Sequence, residues 1–309
     1  MSEQASDAAL TKQATRSALA NQVSTSPTRG PVRHRRRLDP TKVVLTLFFV
    51  VLAIVFVFPL YWMVISSLRP EGRVFVDAFD LIPNALSLDT YRTLFEEEPF
   101  GRWIINSVVQ TGGFAFTALF LCTTGGYALA KFNFRGRNLL FLLILVSQMI
   151  PFHLLIVSLF LIIIQLGLVE SYLGAIIPIA ASPIGIFFVR QYMLSIDDEM
   201  LNAARVDGAN EYQIFFSIVL PNARPAIATL FILFSLEYWN NLLWPLIVFR
   251  EAENMPLAVG IQRLVNQYRQ AYDLVMAGST LATLPIVVLF LFLRRQVMEG
   301  LASTGTGMK

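Results

Sequence analysis

Cysteine is nearly absent. The 309 residues hold one, Cys122, inside an apolar run, so no disulfide can form within the chain. Histidine is almost as scarce, with His34 near the start and His153 in another apolar run. These two provide no constellation for histidine-based catalysis. No H-E-x-x-H and no Cys/His cluster occurs, so no metal site and no catalytic residue is expected. G-x-S-x-G is missing too. Without G-x-x-x-x-G-K-[ST] the chain cannot cradle a nucleotide in a P-loop. Charge is low, at 15% of residues and a formal net of +3, which gives nucleic acid no basic surface to bind. The first 42 residues hold no apolar stretch of the kind found in a cleaved signal peptide. Internal repeats are also missing.

The composition is instead dominated by hydrophobic residues, 55% of the total, with a mean hydropathy of +0.60. They gather into runs at 43–68, 103–130, 139–166, 172–192, 226–249 and 274–293. Each approaches the roughly 20 residues that cross a bilayer as a helix. The expected fold class is therefore an all-α polytopic membrane protein with about six transmembrane helices. Basic residues flank the runs: Arg33, Arg35, Arg36 and Arg37, then Lys131, Arg135 and Arg137, then Arg190, then Arg294 and Arg295. The positive-inside rule places those flanks, and hence both termini, in the cytoplasm. Residues 1–42 read as a disordered basic tail, its arginines a topological anchor or, as a second reading, a contact for anionic lipid. Residues 69–102 and 250–273 are then outside. Each contains an amphipathic helix, one after Ser87 with Tyr91, Leu94 and Phe95, one with Ile261, Leu264, Val265, Tyr268 and Tyr272. Pro59 is a candidate kink in the first span, and Pro151, inside the third, frees a backbone carbonyl that a neighbouring helix or water must satisfy.

Residues 195–225, SIDDEMLNAARVDGANEYQIFFSIVLPNARP, form the longest polar segment between two C-terminal spans. Ser195 is a candidate cap with Asp198 three residues on, and Asp197, Asp198 and Glu199 suit the positive end of a helix. Asp207-Gly208 breaks that helix. A second begins at Asn210 and aligns Ile214, Phe215, Ile218 and Val219 on one face. Leu220-Pro221 is expected to end it.

By its residues alone this is a helical hairpin between membrane helices. AARVDGA followed by I-V-L-P also resembles the EAA loop of ABC-importer permeases. Ala203, Ala204, Asp207, Gly208, Ala209, Ile218, Leu220 and Pro221 fall in register, while Asn202 stands where the pattern has Glu. Trp239, Asn240, Trp244 and Pro245 resemble the same family's W-N-x-x-x-W-P-L, and YALAKFNFRGR from Tyr127, with Asn106-Ser107, resembles its sugar importers. The resemblance runs over 43–309 and is closest to the smaller, six-span permease of the maltose type. It implies the type I importer fold and a permease domain whose coupling loop, 195–225, docks on an ATPase. It also implies four kinds of partner: a second homologous permease, two ATP-binding subunits holding ATP and Mg, an extracytoplasmic sugar-binding protein, and the lipid membrane. The family's C-terminal G-A-V-K-G is only approximated by Gly305, Thr306, Gly307, Met308 and Lys309.

Glu237 is the one carboxylate deep in an apolar run. With Asn240 and Asn241 beside it, it is a candidate to hydrogen-bond a hydroxyl-rich solute, the alternative being a pair with a neighbouring helix. Trp239, Gln148 and Asn106 are further pathway candidates, each also read as a packing or interhelical bond. A lone intramembrane acid argues against ion coupling. The reading is thus a permease for a sugar or oligosaccharide in the cell membrane, driven by partner ATPases through alternating access, and not an enzyme. A glycerol-phosphate-type solute, a membrane scaffold with a docking loop and a stand-alone carrier are the alternatives.

Overall fold

The computed structural model describes residues 40–305 apart from 71, 73–80, 84 and 268–271, with side chains between 41 and 292. Residues 1–39 of the expected 1–42 tail, Tyr268, the side chains of Arg294 and Arg295, and 306–309 lie outside the described residues, while 40–42, expected in the tail, already belong to the first helix. Helices joined by short turns make up the described chain, and no strand occurs among them.

Two compact units are defined, 1–56 and 57–309. Helix α1, Pro40–Ser67, passes through Pro59 without interruption. Its side chains from 41 to 61 are all exposed and almost all apolar, which suits a surface solvated by lipid. Within the second unit, α2 covers Asp89–Glu97, where the Ser87 hydroxyl accepts the Asp89 N–H at 3.0 Å and Leu94 is buried. Helix α3, Phe100–Lys131, runs 32 residues without interruption and buries one face.

The third span is not one helix, contrary to the expectation for 139–166. Helix α4, Arg137–Ser147, and α5, Phe152–Gln165, meet at 100°. Pro151 has no N–H to donate and its ring excludes the preceding helical turn. The chain closes instead through tight bonds from Met149 N to Val146 O and from Ile150 N to Ser147 O. The fourth span is broken too. Helix α6, Tyr172–Ile176, runs into a 3-10 turn at Ile177–Ile179, and α7, Pro183–Leu194, restarts at 57°. Ser171 and Ser182 cap the two pieces by accepting the N–H of Gly174 and Gly185.

After α8, Asp198–Val206, and α9, Glu211–Asn222, comes α10, Arg224–Trp239. The expected fifth span, 226–249, ends early. Helix α10 stops at Trp239, and the chain turns at Asn240 and Asn241 before the short α11, Leu243–Val248. Sixteen residues rise only about 24 Å, short of a bilayer core near 30 Å. The apolar pair that passes as a span is α9 with α10, bent by 78°. Helix α12, Leu257–Gln267, starts one turn before the predicted stripe; of that stripe Leu264 is buried with Leu257 and Val259, Ile261 packs against them, Val265 is exposed and Tyr272 opens the next helix. Helix α13, Tyr272–Gly305, is the sixth. Three long apolar helices and three bent pairs give up to six crossings.

Two hydrophobic clusters hold the second unit together, and α3 contributes to both. One packs Phe114, Ala118 and Cys122 against Val189 and Met193 of α7, Ile214 and Val219 of α9, and Phe234 of α10. The other packs Phe100 and Trp103 against Trp244, Phe249, Leu257, Leu264 and Leu274. Small residues bring α3 and α7 close. A β-carbon on Gly126 would sit 2.5 Å from Val189 and 3.0 Å from the Arg190 nitrogen. One on Gly185 would sit 2.6 Å from the Cys122 sulfur and 2.7 Å from Phe234. Membrane helices associate through such van der Waals contact, since lipid gives them no hydrophobic gain on pairing. Gly126→Val is expected to cost about 1–3 kcal/mol by overpacking. Gly112→Val is its control, because nothing lies within 4 Å there. Thermal midpoints of the two detergent-solubilised variants check this: only the first should melt earlier than the parent.

Candidate coupling tip and pathway residues

The tip is built from backbone geometry first. Helix α8 starts at Asp198, not at Ser195. Asp197 is its cap, its carboxylate accepting the Glu199 N–H at 2.9 Å. Ser195 donates backwards to the Tyr192 carbonyl and so belongs to the end of α7. At the far end, Gly208 takes φ +87°, a conformation open to glycine. Gly208 N bonds Arg205 O at 3.1 Å and Ala209 N bonds Ala204 O at 3.0 Å, which together form a Schellman motif. Asn210 then opens α9 with a full capping box: its Oδ1 accepts from Gln213 N, and the Gln213 Oε1 accepts from Asn210 N.

Pro221 does not end α9, which runs on to Asn222. The turn before it widens into a π-turn over Phe215–Val219, with Leu220 N bonded to Phe215 O. A wider turn makes room for the proline ring, which a normal one would not. The Asn222 amide then donates to the Ile218 carbonyl at 2.7 Å. The apolar face is as expected, with Ile214, Phe215 and Val219 buried and Ile218 and Leu220 partly so.

Side chains tie the tip together and to the bundle. Arg205 Nε lies 2.7 Å from Glu211 Oε1, closing α8 onto α9, and Arg205 Nη1 donates to Asn202 Oδ1 at 2.8 Å. The Tyr127 hydroxyl of α3 donates to Glu211 Oε2 at 3.1 Å. Lys131, one turn later on α3, donates to the Ile196 carbonyl at 2.6 Å and to Asp198 Oδ1 at 2.5 Å. Asn202, Ala203, Asp207 and Gly208 are exposed, as are Val206 and Tyr212, while Ala204 and Ala209 are half-buried. Of the predicted coupling residues, Asn202, Ala203, Asp207 and Gly208 thus face outward, whereas Ala204, Ala209, Ile218 and Leu220 pack partly on the first hydrophobic cluster and Pro221 is half-buried. Reading the sequence alone gave Tyr127, Lys131, Arg205 and Glu211 no role here; the signal was the four-residue spacing of Tyr127 and Lys131, which puts both on one face of α3.

Pathway candidates fall into three settings. Glu237, Asn240 and Asn241 come together at the end of α10, the first two exposed on the single chain. Asn240 donates to the Leu236 carbonyl at 2.7 Å, and Asn241 accepts the Trp244 N–H at 3.4 Å. Trp239 leans the other way. Its Nε1 donates to the Ala282 carbonyl of α13, and its ring borders a cleft of about 220 Å³ with Thr111, Phe231 and Pro285. Gln148 is exposed in the α4–α5 break, on a different element. Asn106 is buried, its amide donating to the Glu253 and Met255 carbonyls and accepting from Tyr172. Its hydrogen-bonding capacity is engaged in holding the chain. Trp244, resembling a family signature residue, is fully buried with Nε1 bonded to Gly174 O. No cluster of metal-binding side chains occurs among the described residues.

Three long apolar helices and three bent apolar pairs, carrying a polar helical tip, are the frame of a polytopic membrane protein. A family model for the binding-protein-dependent transport system inner membrane component matches residues 122–301, more than half of the chain. The chain belongs to that family, a family of transport components and not of enzymes. The arabinooligosaccharides transport system permease protein AraQ of Bacillus subtilis (strain 168) is 36% identical over 277 residues, 89% of this chain and 99% of that one. Its namesake in Halalkalibacterium halodurans is 40% identical over 264 residues, 84% of this chain and 95% of the relative. The fold matches a chain of a bacterial ABC transporter involved in the import of the acidic polysaccharide alginate, with TM-score 0.74 and 23% identity, over 82% of this chain and 95% of the other.

The tip also defines a pH response. The Lys131 hydrogen bond holds the Asp198 carboxyl below the usual carboxylate range, and the Arg205 hydrogen bond does the same for Glu211, with Tyr127 adding to it. Groups with lowered folded-state pKa stabilise above their unfolded pKa of about 4, and that contribution is lost as pH falls through the folded value. Hydrogen exchange across 198–213 is therefore expected to be unchanged in its protection between about pH 8 and pH 5, and to loosen only below about pH 4.

Proposed function

We propose that this chain is one of two permease subunits in an ATP-driven importer of neutral oligosaccharides. The observation that carries the reading is the identity to arabinooligosaccharide permeases across nearly the whole of both chains. The α8–α9 tip is the surface offered to an ATPase, with Val206 and Tyr212 projecting from it. Two such ATPases hold ATP and Mg, and an extracytoplasmic binding protein delivers the sugar. Lys131, Arg135, Arg137 and Arg190 share the tip's end of the bundle, which supports a cytoplasmic placement for it and for both termini. Closure of the ATPases moves the tips, and the helix bundles rock between outward- and inward-open states.

Glu237, Asn240 and Asn241 are this chain's polar contribution to the pathway. A carboxylate accepts hydrogen bonds and the amides both accept and donate, which complements hydroxyl groups. The same carboxylate repels a phosphate, so a neutral sugar is favoured over a glycerol-phosphate-type solute.

The test reconstitutes the full complex in liposomes with its binding protein and measures ATP-dependent uptake of labelled arabinotriose, with glycerol-3-phosphate as competitor. Uptake that the phosphate does not reduce is the expected result; uptake of neither, or of the phosphate instead, overturns the reading. Ala204→Arg, placed on the half-buried face of the tip, should abolish uptake while membrane insertion is retained. Alanine at Glu237, Asn240 or Asn241 should shift preference among oligosaccharides, by about tenfold if one hydrogen bond near 1.4 kcal/mol is lost.

A further inference from the structure

We propose that Tyr127 and Lys131 are positioning residues that make α3 the rod by which the tip drives the opposite end of the bundle. The proposal rests on the reading of the chain as an ATP-driven permease. By covalent connection the tip joins only α7 and α10. Contact with α3, more than 60 residues upstream, is made by side chains.

Those contacts grip both helices of the tip. Lys131 holds the start of α8 through the Ile196 carbonyl and the Asp198 carboxylate, with its side chain only 4% exposed. Tyr127 holds the start of α9 through Glu211, and its ring packs on Phe215 at 5.2 Å. Glu211 in turn holds Arg205 at the end of α8. A rigid tip displaced in any direction therefore pulls or pushes one turn of α3 at two points. The Lys131 bonds are charge-assisted, roughly twice as strong as neutral ones, and an ammonium so enclosed cannot cheaply let go of its acceptors.

At its other end α3 is joined to a loop just as directly. Trp103 Nε1 donates to the Ala252 carbonyl at 2.7 Å, Asn106 to the Glu253 and Met255 carbonyls, and the Ser107 hydroxyl accepts the Leu257 N–H at 2.6 Å. The same loop is pinned by Glu170, whose carboxylate accepts from Arg250 N, Glu251 N and the Asn254 amide. From Lys131 to Trp103 is about 42 Å of continuous helix. A shift at the tip thus reaches loop 252–255 without passing through the broken spans.

The experiment uses the complete complex in liposomes and reads ATP hydrolysis with and without arabinotriose-loaded binding protein, together with uptake. In Lys131→Met and Tyr127→Phe, the ATPases should still co-purify and basal hydrolysis should persist. Stimulation by the loaded binding protein should fall at least about fivefold, and more ATP should be spent per sugar imported. Lys131→Arg, which keeps the cation, should restore the stimulation. A residue of merely structural importance would lower all activities together and leave the ratio unmoved. Unchanged stimulation in Lys131→Met overturns the proposal; if that variant sheds the ATPases, unchanged stimulation in Tyr127→Phe overturns it instead. A parent complex that imports nothing with ATP would overturn the functional reading, a separate outcome.

Discussion

Val189 and the backbone of Arg190 occupy the space where a β-carbon on Gly126 would be, and Cys122 with Phe234 does the same at Gly185. This contact between α3 and α7 sets the spacing on which the other elements depend. Cys122 is placed at the seam as a small apolar side chain, fully buried. Arg190 caps the end of α3 by donating to the Leu129 carbonyl, and its guanidinium lies 4.1 Å over the Phe141 ring. Because α7 leads straight into the tip, α3, α7 and the tip are packed and hydrogen-bonded as one body. Bodies of that kind move by rotation against their neighbours, not by bending.

The breaks in the spans serve the opposite purpose. A bilayer tolerates irregular backbone only where protein or a water-filled cavity satisfies the freed groups. In α6 and α7, serine caps do so from within the chain. At the end of α10 the asparagines do part of it, and they leave Glu237 exposed beside them. A chain that keeps a carboxylate and amides on an unshielded turn in an apolar bundle has polar capacity available for something else. The pathway reading draws its physical sense from that surplus.

Much of this was legible in the sequence, and the failures have causes. The number of crossings follows from apolar runs and basic flanks, because burial in lipid is a property of composition. Gly208 and Asn210 announced the turn correctly, since positive φ and a capping box leave few residue choices. Continuity was harder to read. Pro59 lies inside an unbroken helix, whereas Pro151 marks a 100° bend, and Pro221 is absorbed by a π-turn. One proline has three outcomes because neighbouring packing decides whether the lost bond is replaced, and packing is not local in sequence. The same holds for Asn106, a polar residue in a span whose amide N–H groups are taken by a loop almost 150 positions away and whose oxygen is taken by Tyr172. Lys131 was visible as a topology marker and, with Tyr127, as part of the YALAKFNFRGR motif, but neither as a contact to the tip, since their acceptors lie on a distant segment.

The turn at Gly208 has a meaning for how such a tip changes over time. Its form is held by main-chain bonds from Gly208 and Ala209 to Arg205 and Ala204, and by one capping amide at Asn210. Almost none of it depends on what Asn202, Val206 or Tyr212 carry outward. Their side chains can be rewritten without loss of shape, as a key blank accepts different cuts. Asn202, standing where the pattern it resembles has Glu, is one such cut: its amide oxygen accepts from Arg205 and leaves the blank unaltered.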